Sequence, residues 1–512
     1  MHLTQGVHRP LQQVPDNVAL EHDGRQVTFR QFAERVTRLA AGLHSIGVRE
    51  GDRVAMLSLN SIEYVEYYYA VWWAGAVANP INVRWAVAEI VYSLEDSDTT
   101  YMIVDAGFRH LIDEIRGKAP LLKKIVYIGD DAPAGTIPYE SLVAQSEPVP
   151  DAYRHGNDLA AILYTGGTTG HPKGVMLSHT NIGVAGLMNL QPGLGLGPVW
   201  VHVMAFFHGA PLFWMLAQFL LGGKQIILPR FEASALIKTV VEGKGTDMLL
   251  VPSMIQTLID HPEFDSAKFA GVRSIWYGAS TIAEETQLRA MRAMPNCKFI
   301  QVYALTEAPA TSFLFPEFHD PALGKLRSTG RAVIETQIRI CDPNGKELPR
   351  GQIGEINVRG MNTMLGYWNK PKETAATLVD GWVRTGDAAY MDDEGFVYIA
   401  DRVKDMIVSG GENVFAAEVE NAIAKHPAIH ASAVIGIPSE QWQEQVHAIL
   451  VLKPGAEEMT LEEMRNHCKQ YIAGYKCPRS IEFRVSLPLT TMGKVGKNIL
   501  RAPFWEGHVR KV

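Results

Sequence analysis

The 512-residue chain has only four cysteines, Cys297, Cys341, Cys468 and Cys477, and no two of them form a C-x-x-C pair. That scatter suggests neither a disulfide framework nor a zinc site, and it fits a reducing cytosol, so a cytoplasmic location is expected. Long apolar runs are missing too. The longest, Tyr67 to Ala78 and Pro211 to Leu221, fall short of the ~20 residues that span a bilayer. The opening residues MHLTQGVHRP lack the apolar core of a secretion signal. No transmembrane segment is expected, and peripheral contact with a membrane surface stays open. Basic charge is not in excess: 48 Lys and Arg against 55 Asp and Glu give −7. This argues against a nucleic-acid partner but leaves room for local phosphate-binding patches. Repeats, low-complexity tracts and N-glycosylation sequons are absent as well.

What is present is an ordinary globular composition, 47% apolar and 20% charged, on a chain too long for one core. Two or more domains follow. Thr28-Phe-Arg-Gln31 has the form of a capping box, opening an amphipathic helix with Phe32, Val36, Leu39, Leu43 and Ile46 on one side and Gly47 as its stop. Further on, β-type runs near 54–57, 101–104, 124–128, 225–228, 248–251 and 298–302 alternate with helical patterns near 233–242 and 253–260. Such alternation predicts βαβ units in layered, largely parallel sheets. From Thr336 the close-spaced segments TQIRICD, PNG, GEINVRG and FVYIAD predict a β-rich subdomain. Beyond Arg402 come helices from Ala416 and Leu461 and strands near 432–436, 446–452 and 481–485. The fold class is therefore α/β, with a large N-terminal domain (1–402) of layered βαβ sheets plus the β-rich subdomain. A small α+β domain (403–512) completes the chain.

The densest chemistry lies in Tyr164-Thr-Gly-Gly-Thr-Thr-Gly-His-Pro-Lys-Gly174, directly after the apolar run LAAIL. Its backbone N–H groups and the Thr165, Thr168 and Thr169 hydroxyls can wrap phosphate oxygens. It is not a Walker A loop, because His171-Pro172 stand where Gly-Lys would follow and no Ser or Thr comes after Lys173. Taken alone, a glycine-rich stretch of this kind can also be a solvated turn.

Together with the segments below, this loop closely resembles the phosphate loop of the acyl-adenylate-forming superfamily, which includes acyl-CoA synthetases, firefly-type luciferases and peptide-synthetase adenylation domains. The resemblance covers nearly the whole chain. It implies ATP binding by Thr165, Gly166, Gly167, Thr168, Thr169, Gly170 and Lys173, with Gly166 in place of the usual serine. Tyr303-Ala-Leu-Thr-Glu307 matches the family's Tyr-Gly-x-Thr-Glu. By resemblance Tyr303 stacks on adenine beside Ala304, Thr306 reaches the α-phosphate and Glu307 holds Mg²⁺. Gly278-Ala279-Ser280 resembles the adenine-lining turn; Ile282 stands where the closing glycine of a hydrolase elbow belongs. Asp387 of Trp382-Val-Arg-Thr-Gly-Asp387 and Arg402 of Asp401-Arg402 take the ribose roles, and Lys404 the hinge of a mobile C-terminal domain.

Ser409-Gly410-Gly411 is similar to the coenzyme A-binding stretch, and Lys494 of Pro488-Leu-Thr-Thr-Met-Gly-Lys494 to the lysine that serves adenylation. By the same resemblance His208 occupies the position at which many family members place a residue between the carboxylate and the thiol route. The implied activity is ATP-dependent acid:CoA ligation through an acyl-adenylate, with ATP, Mg²⁺ and coenzyme A required. Around His208 lie Phe206, Phe207, Leu212, Phe213, Trp214 and Met215, and no Asp, Glu, Lys or Arg from Met204 to Leu221. A peptide-synthetase domain would place an acid there to pair with an amino group. An apolar acid is expected, a medium- or long-chain fatty acid first and an aryl or cyclic alkanoic acid second, although a buried core helix would show the same residues. A luciferase-like or adenylate-only enzyme would share the scaffold, and a nucleotide sensor would lack the need for Lys494. The oligomeric state is not fixed, a homodimer being the reading carried.

Overall fold

The computed structural model describes residues 1–165, 172–193, 197–280, 282–402, 406–409, 412–439, 441–489 and 495–506, with backbone alone at 401, 402, 408, 412 and 413. The chain divides into two compact units, Met1–Ile338 with Val358–Arg384, and Arg339–Asn357 with Thr385–Val512. The expected 402/403 boundary lies within the second unit, and residues 403–405 are outside the described ones.

Two layered sheets organise the first unit. One runs Gly366–Tyr367, Lys173–Ser178, Leu159–Thr165, Val77–Pro80, Arg53–Leu57, Tyr101–Asp105, Lys124–Ile128 and Ile137–Pro138, edge to edge. Its strands are parallel from Leu159–Thr165 onward, and the first two pair antiparallel. The other runs Arg331–Ala332, Ala308–Leu314, Lys298–Leu305, Ser274–Gly278, Asp247–Leu250, Val199–His202, Lys224–Ile227, Val18–His22 and Arg25–Thr28. Parallel pairing fills its centre and antiparallel strands close both edges.

The capping box opens the Phe29–Ser45 helix as expected: Thr28 N donates to Gln31 Oε1 at 2.9 Å, and Gln31 N donates to Thr28 Oγ1 at 3.2 Å. The next helix, Ile62–Trp73, is buried on every side. A helix buried all round belongs at the centre of a large core, and each of its aromatic rings removes roughly 150–250 Å² from water, about 4–6 kcal/mol of gross driving force. Several of its polar atoms are used inside: Tyr67 OH donates to Val54 O at 2.7 Å, and Trp72 Nε1 to Ala160 O at 3.1 Å. Glu66, fully buried on the same helix, is held by Arg35 at 2.5 Å and by Tyr139 OH at 2.7 Å.

The expected β-rich subdomain is a five-stranded sheet ordered Thr336–Cys341, Gly354–Gly360, Trp382–Met391 and Leu378–Val379, with Val397–Arg402 on Trp382–Met391. The small C-terminal sheet orders Glu412–Val414, Ile407–Ser409, Gln443–Leu452 and Ile429–Ser439, with Ser480–Phe483 parallel to Gln443–Leu452. Helices Ala416–Ala424 and Leu461–Cys468 pack their Val419, Ile423, Met464 and Cys468 side chains into its core.

Candidate active site

The glycine-threonine loop grows from the tip of a β-hairpin. Leu159–Thr165 and Lys173–Ser178 pair antiparallel, and the last register partners are Thr165 and Lys173 themselves. Gly166, Gly167, Thr168, Thr169 and Gly170 lie outside the described residues. The stem beneath them is pinned: Tyr164 OH donates to Asp96 Oδ2 at 2.8 Å, and Lys370 Nζ to Asp96 Oδ1 at 2.5 Å. Burial, then the Asp96 charge, pushes the Tyr164 phenol far above its ordinary range, so it stays a donor.

Thr306 and Glu307 form the two-residue turn between Lys298–Leu305 and Ala308–Leu314, where Leu305 pairs with Ala308. A register shift between Tyr303 and Leu305 bulges the strand at Ala304 just before the turn. Gly278 closes the parallel neighbour, opposite Val302. Gly278–Ala279 and Tyr303–Glu307 therefore sit at the same carboxyl ends of adjacent strands, where ligands bind in open α/β sheets. A methyl on Gly278 would lie 2.3 Å from Val302 O, and Ala279 takes a φ of 67°, a left-handed conformation that costs a non-glycine residue.

Lys173 and Glu307 come together through a residue that motif reasoning missed. Tyr367 OH donates to Glu307 Oε1 at 2.7 Å, and Lys173 Nζ stands 4.7 Å above the centroid of the same ring. Tyr367 carries no local signature in Gly366-Tyr-Trp-Asn369; only the pairing of Gly366–Tyr367 with Met176 and Val175 brings it there.

His208 N-caps the Gly209–Leu221 helix. A methyl on Gly209 would lie 3.3 Å from Leu163 Cδ1, so the helix starts beside the strand that leads into the loop. Asn60, also missed, aims the segment before it: Phe206 N donates to Asn60 Oδ1 at 2.8 Å, and Asn60 Nδ2 donates to Met204 O at 2.9 Å and Leu228 O at 3.1 Å. Phe206, Leu212 and Met215 are fully buried in the main core. Trp214 lies 6.1 Å from Trp200 and edge-on to Trp276 at 5.0 Å, and the indole N–H groups of Trp214 and Trp276 have no partner among the described residues. The seam lined by Trp200, His202, Met204, Pro211, Trp214 and Leu249 holds no water-sized space.

In the second unit Asp387 is buried and stands opposite Arg402 in the antiparallel pairing. Its N–H donates to Thr385 Oγ1 at 3.1 Å, and Gly386 N donates to Glu355 Oε1 at 3.0 Å. Ser409 pairs with Gln443 and Glu412, and its buried hydroxyl has no partner among the described residues. Lys404, Gly410, Gly411 and Lys494 lie outside the described residues.

Known proteins resemble this chain over nearly its whole length. A family model described as AMP-binding enzyme matches residues 7–368, and one described as AMP-binding enzyme C-terminal domain matches 418–494. The chain is 35% identical to a feruloyl-CoA synthase of Amycolatopsis, with 96% of each covered. It is 34% identical to the medium/long-chain-fatty-acid–CoA ligase FadD8 of Mycobacterium tuberculosis, over 95% of this chain and 87% of that one. ATP-bound MatB from Rhodopseudomonas palustris superposes with a TM-score of 0.90 at 29% identity, over 99% of this chain and 100% of that one. The hairpin loop and the turn at Thr306–Glu307 both fall inside the longer match, and the chain belongs to the AMP-binding enzyme family as an AMP-forming acyl-CoA synthetase, activating a carboxylic acid with ATP and passing it to coenzyme A.

Proposed function

We propose that the acid is hydrophobic, a medium- or long-chain fatty acid. The observation that supports this is the Gly209–Leu221 helix and its approach, which present His208 and otherwise no ionisable group between Met204 and Leu221. Each methylene buried against such a wall contributes ~0.8 kcal/mol, while a hydrophilic tail would lose hydration without a partner. A second reading, an aryl-alkanoic acid bearing an oxygen on its tail, is favoured by the unpartnered indole N–H groups of Trp214 and Trp276.

In the first half-reaction the carboxylate attacks the α-phosphorus of ATP and pyrophosphate leaves. Lys494 and Lys173 offset the charge of two anions meeting, and Thr165 through Gly170 hold the phosphates in line. Tyr303, Ala304, Gly278 and Ala279 line the adenine, and Asp387 with Arg402 takes the ribose. Glu307 fits a magnesium ion that arrives with the nucleotide: it is one carboxylate, with Oε1 engaged by Tyr367 and Oε2 without a hydrogen bond to a described residue. Magnesium commonly takes one or two carboxylates and completes its shell with phosphates and water, where it would neutralise charge on the leaving group. In the second half-reaction the thiol, guided along Ser409–Gly411, displaces AMP. Because Lys494 and the glycine pair serve different steps, the small domain (403–512) turns about Lys404 between them.

The test is a panel of acids from acetate upward, with cinnamate and benzoate, scored by AMP release with and without coenzyme A. Catalytic efficiency should climb steeply beyond the short acids. An optimum at acetate or at a free amino acid would overturn the hydrophobic assignment.

A further inference from the structure

The segment Met364–Lys370 is a strap laid across three parts of the ATP-handling end. Met364 N donates to Glu307 O at 2.9 Å, Leu365 N to Met176 O at 2.9 Å and Trp368 N to Gly174 O at 2.8 Å. One end thus holds the turn that carries Glu307, and the other the strand that begins at Lys173. Lys370 reaches Asp96, the same carboxylate that anchors Tyr164 under the loop. From the middle of the strap Tyr367 sends its hydroxyl to Glu307 and shows its ring face to Lys173.

We propose that Tyr367 is a positioning residue for adenylation: its hydroxyl fixes one oxygen of Glu307 so that the other is left for the cation, and its ring seats the Lys173 ammonium. This rests on the reading of Glu307 as the magnesium ligand.

A glutamate on a two-residue turn has several rotamers open to it, and a cation bound by one carboxylate must freeze one of them. The bond from Tyr367 freezes it beforehand. It is charge-assisted and therefore stronger than a neutral hydrogen bond. The backbone that carries the phenol is itself tied down: Tyr367 N donates to Thr374 Oγ1 at 2.9 Å, and a methyl on Gly366 would lie 2.8 Å from Thr374 Cγ2, so the strap runs close to the helix Pro371–Thr377. The electron-rich face attracts the ammonium at the same time. One side chain therefore sets the spacing of a cation-binding carboxylate and a phosphate-binding lysine from segments far apart in the chain.

Tyr367→Phe keeps the ring and removes only the hydroxyl. The readouts are ATP binding followed by tryptophan fluorescence over a range of Mg²⁺ concentrations, without acid or coenzyme A, and thermal unfolding without nucleotide. The Mg²⁺ concentration for half-maximal binding should rise about tenfold, with unfolding nearly unchanged. Glu307→Gln should shift it at least as far. Tyr367→Leu, which also removes the ring, should weaken ATP binding even at saturating Mg²⁺. Unaltered Mg²⁺ dependence in Tyr367→Phe, with Glu307→Gln shifted, overturns the role of Tyr367. Unaltered dependence in Glu307→Gln overturns the metal reading beneath it.

Discussion

At the scale of single residues, Gly278 owes its place to a close approach of two strands as well as to any ligand. A Cβ there would sit 2.3 Å from Val302 O, backbone that cannot swing aside, and the chain turns immediately afterwards at Ala279 with φ at 67°. Gly278→Ala should cost about 1–3 kcal/mol in chemical denaturation, as overpacking does, and weaken AMP binding by prying the edge apart. A variant as stable as the parent would show that the strands separate freely. At this scale Thr165, Lys173, Thr306, Glu307 and Gly278 were legible as candidates, since each stands in a short local pattern. Tyr367 and Asn60 stayed hidden for a physical reason: Tyr367 meets Glu307 across 60 residues and Asn60 meets Phe206 across 146, and neither distance leaves a trace in spacing.

At the scale of elements, the Gly209–Leu221 helix is aimed by what precedes it. Asn60 satisfies Met204 O, Leu228 O and Phe206 N with one amide, and Tyr68 OH adds a bond to Phe206 O at 2.8 Å. Asn60→Ala should lower stability by about 2–3 kcal/mol through the buried groups left unpaired, and raise the KM for the acid more than that for ATP. Equal changes in both constants would mean that Asn60 supports the fold without aiming His208. The Phe29–Ser45 helix was readable because cap, period and stop all agree at the residue level. The Val199–His202 strand, four residues long, is too short for any period to separate it from a helix segment, and Lys173–Ser178 opens inside the run Pro172-Lys-Gly174, which disguises a strand as the end of a loop.

For the whole molecule, three histidines are folded away as neutral rings. Burial drops His179, His202 and His319 to about 4, from 6.5. The unfolded chain then binds more protons between those values, so stability falls as pH drops from about 6.5 toward 4 and is level above. Each ring contributes on the order of 3 kcal/mol at most, at 1.36 kcal/mol per unit. His319 hydrogen-bonds Tyr277 OH at 3.0 Å through Nε2, a contact glutamine can imitate. His319→Gln should therefore flatten the slope of unfolding free energy against pH by about one proton; parallel curves for the two proteins would refute it. Composition and alternating periods were enough for the α/β class and its layered sheets, because those depend on pattern. Sheet order and the sorting of Arg339–Asn357 with Thr385–Val512 depend on packing between distant segments, which pattern does not encode.

The run of Trp200, Trp214 and Trp276 beside the Gly209–Leu221 helix gives the enzyme an optical signature of its own. Indoles 6.1 and 5.0 Å apart couple their transitions, and a rigid, dry array of this kind gives strong near-ultraviolet circular dichroism. The seam beside them holds no water-sized space, so on the proposed reading an acid tail entering there would have to turn at least one ring. Occupancy is then written directly into the spectrum, and loading of the enzyme can be followed with neither label nor coupled assay.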